Sequence, residues 1–465
     1  MKDHYQIAII GAGPAGMAAA TIAAKHGASV LLLDEQPHAG GQIYRAVKRQ
    51  SIKDRDVLGA DYYVGRGLVT ELDDSAVKHI TGATVWQVSP EREIGISKDG
   101  VAWLVTADQV ILATGAQERP FPIPGWTLPG VMNAGAAQVL LKSSGVASPD
   151  AVFVGTGPLL YLVAYQYMRA GIPIRAILDT TPKSNMLRAL PHLPAALTNL
   201  GALLKGQRWI KQLHAKSMPF IKDVEDVRLI GEDAISKVEY RRAGQWQHIE
   251  TTQVFLHQGV VPNVNLAMAA GCEHTWNDIQ LCWRAETNAW GETNMPGIAI
   301  AGDGITIAGA RAAEFRGRIT GYGALVRCGL MNAAERDRQA QPFQSALNGE
   351  LRMRPFLDAM FRPPRQFRIP EDDATIVCRC EEVTAGKIRE SVTLGCLGPN
   401  QLKSFSRCGM GPCQGRFCGL TSLEIIAETR GVPVEAIEAM RLRAPVKPLM
   451  LSELASLSAE PELTD

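Results

Sequence analysis

Short unbroken apolar runs, each closed by a glycine or an acid, set the rhythm of the N-terminal part of the chain. Ile7-Ala8-Ile9-Ile10 leads into Gly11-Ala12-Gly13-Pro14-Ala15-Gly16, followed by small apolar residues. This pattern predicts a buried strand, a glycine loop and a helix that opens directly out of the loop. Val30-Leu31-Leu32-Leu33 is the next strand and ends on Asp34-Glu35. Residues 94–106 predict a hairpin turning at Asp99-Gly100. Gln109-Val110-Ile111-Leu112 is a further strand that ends in Ala113-Thr114-Gly115.

The same plan then repeats. Ala151-Val152-Phe153-Val154 enters Gly155-Thr156-Gly157-Pro158, Asp179 closes the following strand, and residues 235–250 predict a hairpin around Gly244. Val254-Phe255-Leu256-His257-Gln258-Gly259 matches the earlier strand-to-glycine segment. Gly11 to Gly115 spans 104 positions, and so does Gly155 to Gly259. The chain carries an internal duplication of one supersecondary unit. A third strand-to-glycine segment, Ile298-Ala299-Ile300-Ala301-Gly302-Asp303-Gly304, precedes a small-residue helix from about Gly309 to Arg327.

A strand–glycine loop–helix unit is a dinucleotide site in outline. Gly11 and Gly13 permit a tight turn and close approach to a pyrophosphate, and Gly16 lets the helix pack against the strand. The helix N-terminus, with its free N–H groups, faces the phosphates. Asp34 stands at the distance from the loop where an acid can hold a ribose hydroxyl, with Glu35 as the alternative. Gly40-Gly41-Gln42 adds a second place of close backbone approach and a side-chain amide.

Composition narrows the class. The 465 residues, 46% hydrophobic and 20% charged, suit a globular protein of about three domains. Lys and Arg number 48 against 47 Asp and Glu, which gives no support to nucleic-acid binding. No apolar run has the length of a spanning helix, and the N-terminal run enters a phosphate-type loop instead of a signal cleavage site. A cytoplasmic protein is expected, with membrane association only through partners.

Six of nine cysteines lie between Cys378 and Cys418, and in a cytosolic chain such crowding points to metal before disulfides. Cys378-Arg379-Cys380 and the pair Cys413 and Cys418 are separated by 32 residues. Two close pairs of thiolates suit an iron–sulfur cluster, with helices starting at Thr384 and near Asn400 between them. Cys378, Cys380, Cys413 and Cys418 are the favoured ligands. Cys408 with Cys413 is the alternative pair, and zinc the alternative metal. Cys396, Cys272, Cys282 and Cys328 read as packing residues.

The first glycine loop, Ala113-Thr114-Gly115 and Gly302-Asp303 together resemble the two-dinucleotide-binding-domain flavoproteins, the pyridine nucleotide-disulfide oxidoreductases, over about residues 5–330. The resemblance implies an α/β fold of two Rossmann-like domains, FAD in the first, and Asp303 at the ribityl–pyrophosphate region. The dithiol pairs of the disulfide reductases are missing here. At the second loop the third glycine position holds Leu160, then Tyr161. A bulky side chain there is expected to crowd a pyrophosphate, so this fold binds NAD poorly, binds another adenine nucleotide such as ATP, or binds nothing. Asp179 still suits a ribose. His257 either approaches the flavin or is a satisfied histidine at a domain hinge, and Trp126 reads as a packing anchor.

The cysteine module resembles the bacterioferritin-associated ferredoxin-like [2Fe–2S] domain, here with C-x4-C as its second pair. With Gly40-Gly41-Gln42-Ile43-Tyr44-Arg45 and the run from Arg407 to Cys418, the chain resembles the α subunit of hetero-oligomeric flavin-dependent amine dehydrogenases. That group includes opine oxidases, D-hydroxyproline and proline dehydrogenases and hydrogen cyanide synthase. The resemblance implies an electron-transferring subunit beside a β flavoprotein that oxidises a secondary amine, opine or imino acid. An external acceptor and a small γ subunit complete the expected partners. A stand-alone NADH-dependent reductase is the rival activity, and a structural subunit the rival class. The expected domains are 1–118 with 289–330 for FAD, 119–288 for the second nucleotide fold, 331–373 as helix and linker, and 374–431 for the cluster. Residues 432–465 are expected as the C-terminal tail, extended from Pro445 to Asp465, with Val446-Lys447-Pro448 along a partner surface.

Overall fold

The computed structural model describes residues 2–49, 52, 55–215 and 218–457. His4–Ile10 lies at the centre of a seven-stranded sheet. It pairs in parallel with Val30–Asp34 on one side and Val101–Leu112 on the other, and Lys78–Thr81 extends the sheet beyond Val30–Asp34. The twelve-residue strand Val101–Leu112 serves two further partners besides His4–Ile10. Its first half pairs antiparallel with Glu93–Lys98, the hairpin expected at Asp99-Gly100. Its last three residues pair in parallel with Ile298–Ile300. The chain therefore returns to its first sheet after building the second. Side chains of Ile7, Ile9, Leu31, Leu32 and Leu33 are fully buried, which is why these strands show no polar alternation.

The second sheet has the parallel order Phe220–Ile221, Ile174–Asp179, Ala151–Thr156, Val254–Gln258, Val131–Asn133. An antiparallel meander of Asp226–Gly231, Ile235–Arg242 and Gln245–Glu250 covers it. Two short strands, Ala116–Glu118 and Val260–Pro262, pair antiparallel and carry the chain between the nucleotide folds. The architecture is α/β, with two Rossmann-like units and a helical C-terminal region.

Small residues fix how the helices stack on the first sheet. Helix Ala310–Arg327 crosses helix Pro14–Lys25. A Cβ at Gly317 would lie 2.1 Å from the Ala15 carbonyl oxygen, and one at Gly321 would lie 3.0 Å from that of Ala19. The two backbones touch, so no larger residue fits at the crossing.

The segment expected as helix and linker is pinned along its length. It forms helices Ala333–Leu351 and Arg354–Met360, and then Phe367 inserts fully buried against Phe121, rings 5.3 Å apart and edge-to-face. Arg368 pairs with the buried Glu424 of the cysteine region.

The cysteine region is a hairpin, Ile376–Cys378 with Val383–Thr384, followed by helices Ala385–Thr393, Pro399–Ser406 and Gly419–Arg430. Thr384 caps the first of these by accepting from the Lys387 N–H. The tail differs from expectation. Val446 is buried in the core of the first domain, its N–H donating to the Trp86 carbonyl at 2.9 Å, and Lys447 pairs with Glu35. Ser456, in helix Leu451–Ser456, accepts from the Ala102 N–H at 2.9 Å. An apolar valine finds its burial on the chain's own first domain, so this part of the tail is a strap and not a free docking strand. Residues 458–465 of the expected tail lie outside the described residues.

Candidate functional site

At the first glycine loop the backbone is packed so closely that side chains are excluded. Gly11 has φ +105°, and a Cβ there would lie 2.4 Å from the Ala113 carbonyl oxygen. A Cβ at Gly16 would lie 1.8 Å from the Gly11 carbonyl oxygen. Gly41 sits opposite Gly13, where its Cβ would come within 2.8 Å of the Gly13 Cα. Gly13 is the N-cap and Pro14 the first residue of the helix, with Ala15 buried behind it. Proline at this position gives up an N–H that the helix does not use.

Asp34 braces the loop from below. Its carboxylate accepts from the Ala12 N–H at 2.6 Å and the Gln36 N–H at 2.7 Å. Burial raises its pKa, and these two N–H donors work against that rise. Glu35 is exposed and holds Lys447. Gln42 accepts from Arg45 at 3.0 Å. Thr114 Oγ1 donates to the Asn263 carbonyl at 3.0 Å, and the Gly115 carbonyl accepts from the Asn263 N–H at 2.9 Å. Gly302, with φ +72°, abuts Ala15, and Asp303 accepts from the N–H groups of Ala308 and Gly309 at 2.9 and 3.2 Å. A Cβ at Gly115 or Gly309 would meet no atom within 4 Å. The three segments thus meet along one backbone edge with room for a side chain left open at Gly115 and Gly309, which fits a dinucleotide.

Two residues of this site escaped the sequence reading. Arg316 is buried and donates to the carbonyls of Gly302 and Thr306 at 3.2 and 2.6 Å, so it shapes the loop that carries Asp303. Lys142 is buried in helix Ala134–Ser144. Its ammonium donates to the Ile43 carbonyl at 2.9 Å, the Gln42 carbonyl at 3.3 Å and Gln138 Oε1 at 2.8 Å. It ties the Gly40-Gly41-Gln42 loop to the second domain. Burial pulls its pKa down to about 7. A lone lysine on the apolar face of Ala134–Ser144 is the signal that could have revealed it.

The second loop is built differently. A Cβ at Gly155 would lie 1.7 Å from the His257 carbonyl oxygen, and Gly157 has φ +113°. Leu160 corrects an expectation: it is fully buried in the core cluster that includes Phe153 and Ala164. Its side chain enters the hydrophobic interior, so it does not crowd the phosphate surface. Tyr161 fills the neighbourhood of the acid instead. Asp179 accepts from the Thr181 N–H at 2.9 Å, the Tyr161 hydroxyl lies 3.5 Å from Thr181 Oγ1, and Thr181 Oγ1 lies 2.5 Å from Thr156 Oγ1. The chain's own hydroxyls surround the carboxylate that would hold a ribose. His257 is satisfied, its Nδ1 2.6 Å from Glu118, which also accepts from the Gly135 N–H at 2.9 Å.

Five of the six clustered cysteines gather in two groups. The sulfurs of Cys378, Cys408 and Cys418 lie within 4.8 Å of one another and all three residues are buried. Hydrogen bonds from the Cys408 and Cys418 thiols hold the Cys378 sulfur well below the usual thiol pKa. Cys380, which is exposed, and Cys413 form the second group, their side chains in hydrogen-bond contact. A Cβ at Gly411 would lie 2.2 Å from the Cys380 Cβ. Cys396 is buried away from both groups, its Sγ 3.3 Å from the Gly398 carbonyl.

The loop from Cys413 to Cys418 rests on the connection between the nucleotide folds. Gln117 donates to the Arg416 carbonyl and Asn265 to the Gln414 carbonyl, both at 2.8 Å. Arg416 in turn donates to the Val446 carbonyl at 2.9 Å. Trp126 anchors the other side, donating to the Ile376 carbonyl at 2.7 Å.

Comparison with known proteins gives this geometry a family. Residues 5–317 match the pyridine nucleotide-disulphide oxidoreductase family. The chain belongs to that family. As a member it is a FAD-dependent oxidoreductase. Residues 373–459 match the sarcosine oxidase A3 domain. The A subunit of opine oxidase from Rhizobium meliloti is 43% identical, covering 98% of this chain and 88% of the relative. The hydrogen cyanide synthase subunit HcnB of Pseudomonas aeruginosa is 31% identical, covering 97% and 98%. Among solved structures, L-proline dehydrogenase from P. horikoshii shares the fold with a TM-score of 0.72 at 19% identity, covering 97% of this chain and 79% of that one.

Lys142 gives a pH signature. An unfolded lysine titrates at about 10.4, while burial brings this one to about 7. Between those values the unfolded chain binds a proton that the folded chain does not, so this residue makes stability rise with pH, by up to about 1.4 kcal/mol per pH unit. Urea unfolding of the wild type and of Lys142→Met at pH 7, 8 and 9 is expected to show this extra rise in the wild type alone.

Proposed function

We propose that the chain is the electron-transferring subunit of a multi-subunit dehydrogenase or oxidase acting on a secondary amine, opine or imino acid. The substrate is oxidised on a partner flavoprotein subunit, and electrons leave to an external acceptor. The names of the relatives, the A subunit of opine oxidase and the HcnB subunit of hydrogen cyanide synthase, support a role inside a larger assembly. FAD belongs to the first fold, held at Gly11, Gly13, Gly16, Asp34, Gly41, Gly115 and Asp303. A [2Fe–2S] cluster belongs to the cysteine region. Bound there, the flavin supplies a carrier of one or two electrons and the cluster a carrier of one.

The observation that carries this reading is the seating of the Cys413–Cys418 loop on the interdomain connection. Asn265 reaches its Gln414 carbonyl, and two residues earlier Asn263 is bonded to Thr114 and Gly115 at the flavin edge. A few covalent and hydrogen bonds thus separate the cysteine loop from the flavin-binding strand end. Such a connection suits electron passage.

The ligands we propose are Cys378, Cys380, Cys413 and Cys418. Two sulfur groups suit a cluster with two iron ends, Cys378 and Cys418 at one and Cys380 and Cys413 at the other. Cys408 stands beside the first end as an additional thiol. Zinc on Cys378, Cys408 and Cys418 is the competing assignment. Cys418→Ser is expected to abolish the visible cluster spectrum while Cys408→Ser retains it. The reverse result removes Cys418 from the ligand set, and zinc without iron in the purified protein removes the cluster.

The second fold is not a site of hydride delivery in this reading, because Tyr161 and Thr181 occupy the surroundings of Asp179. Any adenine nucleotide there, ATP or NAD, serves structure. Anaerobic addition of an amine or imino-acid substrate to the assembled complex is expected to bleach both the flavin and the cluster bands of this chain. NADH added to the purified single chain is expected to bleach neither at catalytic rates. Catalytic reduction by NADH alone would establish the stand-alone reductase, and bands that stay oxidised during amine turnover would leave a structural subunit.

A further inference from the structure

Between the second-domain strand that ends at Asp179 and the short strand Phe220–Ile221 the chain makes a helical excursion. It comprises helices Lys183–Ala189, Leu193–Ala196 and Leu200–Ala215. Residues 180–222 contain seven Lys or Arg and no Asp or Glu, although acids number 47 in the whole chain. Within this stretch Met186, Leu187, Leu190, Leu197, Leu200 and Leu204 are each between 51% and 69% exposed. Exposed apolar side chains concentrated in this way mark a contact surface.

The excursion is anchored to the body from beneath. Leu213 is fully buried, Trp209 packs on Tyr165 with ring centroids 6.0 Å apart, and Lys183 and Lys205 pair with Asp223 and Asp61. The side of the helix Leu200–Ala215 opposite these anchors carries leucines and cations together. On the helix Leu200–Ala215 the positions 200, 204, 208 and 211 follow one face. They are Leu200, Leu204, Arg208 and Lys211, and all four are exposed, as is Arg188 on the first helix. This combination of half-exposed leucines, exposed Arg and Lys and an acid-free sequence matches helices that lie in the plane of an anionic bilayer surface. There apolar side chains enter the acyl boundary and cations meet phosphates. A protein partner would need an equally large apolar face rimmed by acids. No helix among the described residues is long and apolar enough to cross a membrane, so contact of this kind is peripheral.

We infer that the helical excursion 183–215 is a membrane-surface docking element that seats the protein on anionic phospholipid headgroups. The inference is independent of the cofactor assignments above. The test is co-sedimentation of the flavin-loaded full chain with vesicles of equal parts phosphatidylglycerol and phosphatidylcholine, and with vesicles of phosphatidylcholine alone. The wild type is expected to sediment with the anionic vesicles, to be released by high salt, and to stay in solution with the neutral ones. Leu187→Glu with Leu204→Glu, and separately Arg208→Glu with Lys211→Glu, are each expected to weaken anionic binding by at least about tenfold, with flavin absorbance and circular dichroism unchanged. Leu187→Gln with Leu204→Gln supplies the same readout if the glutamate pair does not fold. A wild type that ignores anionic vesicles, or binding that survives both variant pairs, overturns the proposal. So does a wild type that fails to bind vesicles while the leucine variants lose co-elution with the partner flavoprotein, since the face is then a protein interface.

Discussion

The contact between the Gly16 backbone and the Gly11 carbonyl is the constraint on which the first domain depends. With only 1.8 Å available to a Cβ, the helix starts against the strand end, and its N-terminal N–H groups come to the edge where phosphates bind. The same closeness passes to the next layer. Helix Ala310–Arg327 approaches through Gly317 and Gly321, and its position fixes the preceding Gly302-Asp303 loop, with Arg316 holding the loop from behind. Three segments far apart in sequence become one site because their backbones can touch.

The second domain shows what happens when the constraint is relaxed. Leu160 replaces the third glycine and turns into the core, and Tyr161 and Thr181 take up the acid that would serve a ribose. One unit of the duplication keeps a backbone edge fit for a ligand, and the other has turned its polar groups on itself. The connection between them, Ala116–Glu118 with Val260–Pro262, is where the cysteine loop sits, so the duplication also supplies the surface on which the C-terminal region is mounted.

The strands, the two hairpins, the duplication and the Thr384 cap were legible in the sequence because each depends on local patterning of apolar residues, glycines and a capping hydroxyl. The strap formed by Val446 and Lys447 was not, because a short apolar segment reads alike whether it covers a partner or its own chain. Leu160 misled for a related reason: position in a motif says which residue stands there, and the direction of its side chain is set by tertiary packing. Lys142 and Arg316 act through carbonyls of distant loops, which no local pattern marks. Among the cysteines, spacing suggested pairing Cys378 with Cys380 and Cys413 with Cys418, whereas the fold gathers Cys378 with Cys408 and Cys418, and Cys380 with Cys413, a grouping that spacing does not show.

In the function we propose, flavin and [2Fe–2S] cluster are neighbours in one chain, joined through the seat of the cysteine loop on the interdomain connection. Electron paramagnetic resonance of the cofactor-loaded chain, poised so that a flavin radical forms, tests this most directly. The radical is expected to relax faster when the cluster is reduced and paramagnetic than when it is oxidised, and the difference is expected to vanish in Cys418→Ser. A flavin radical whose relaxation is the same in both cluster states would contradict this.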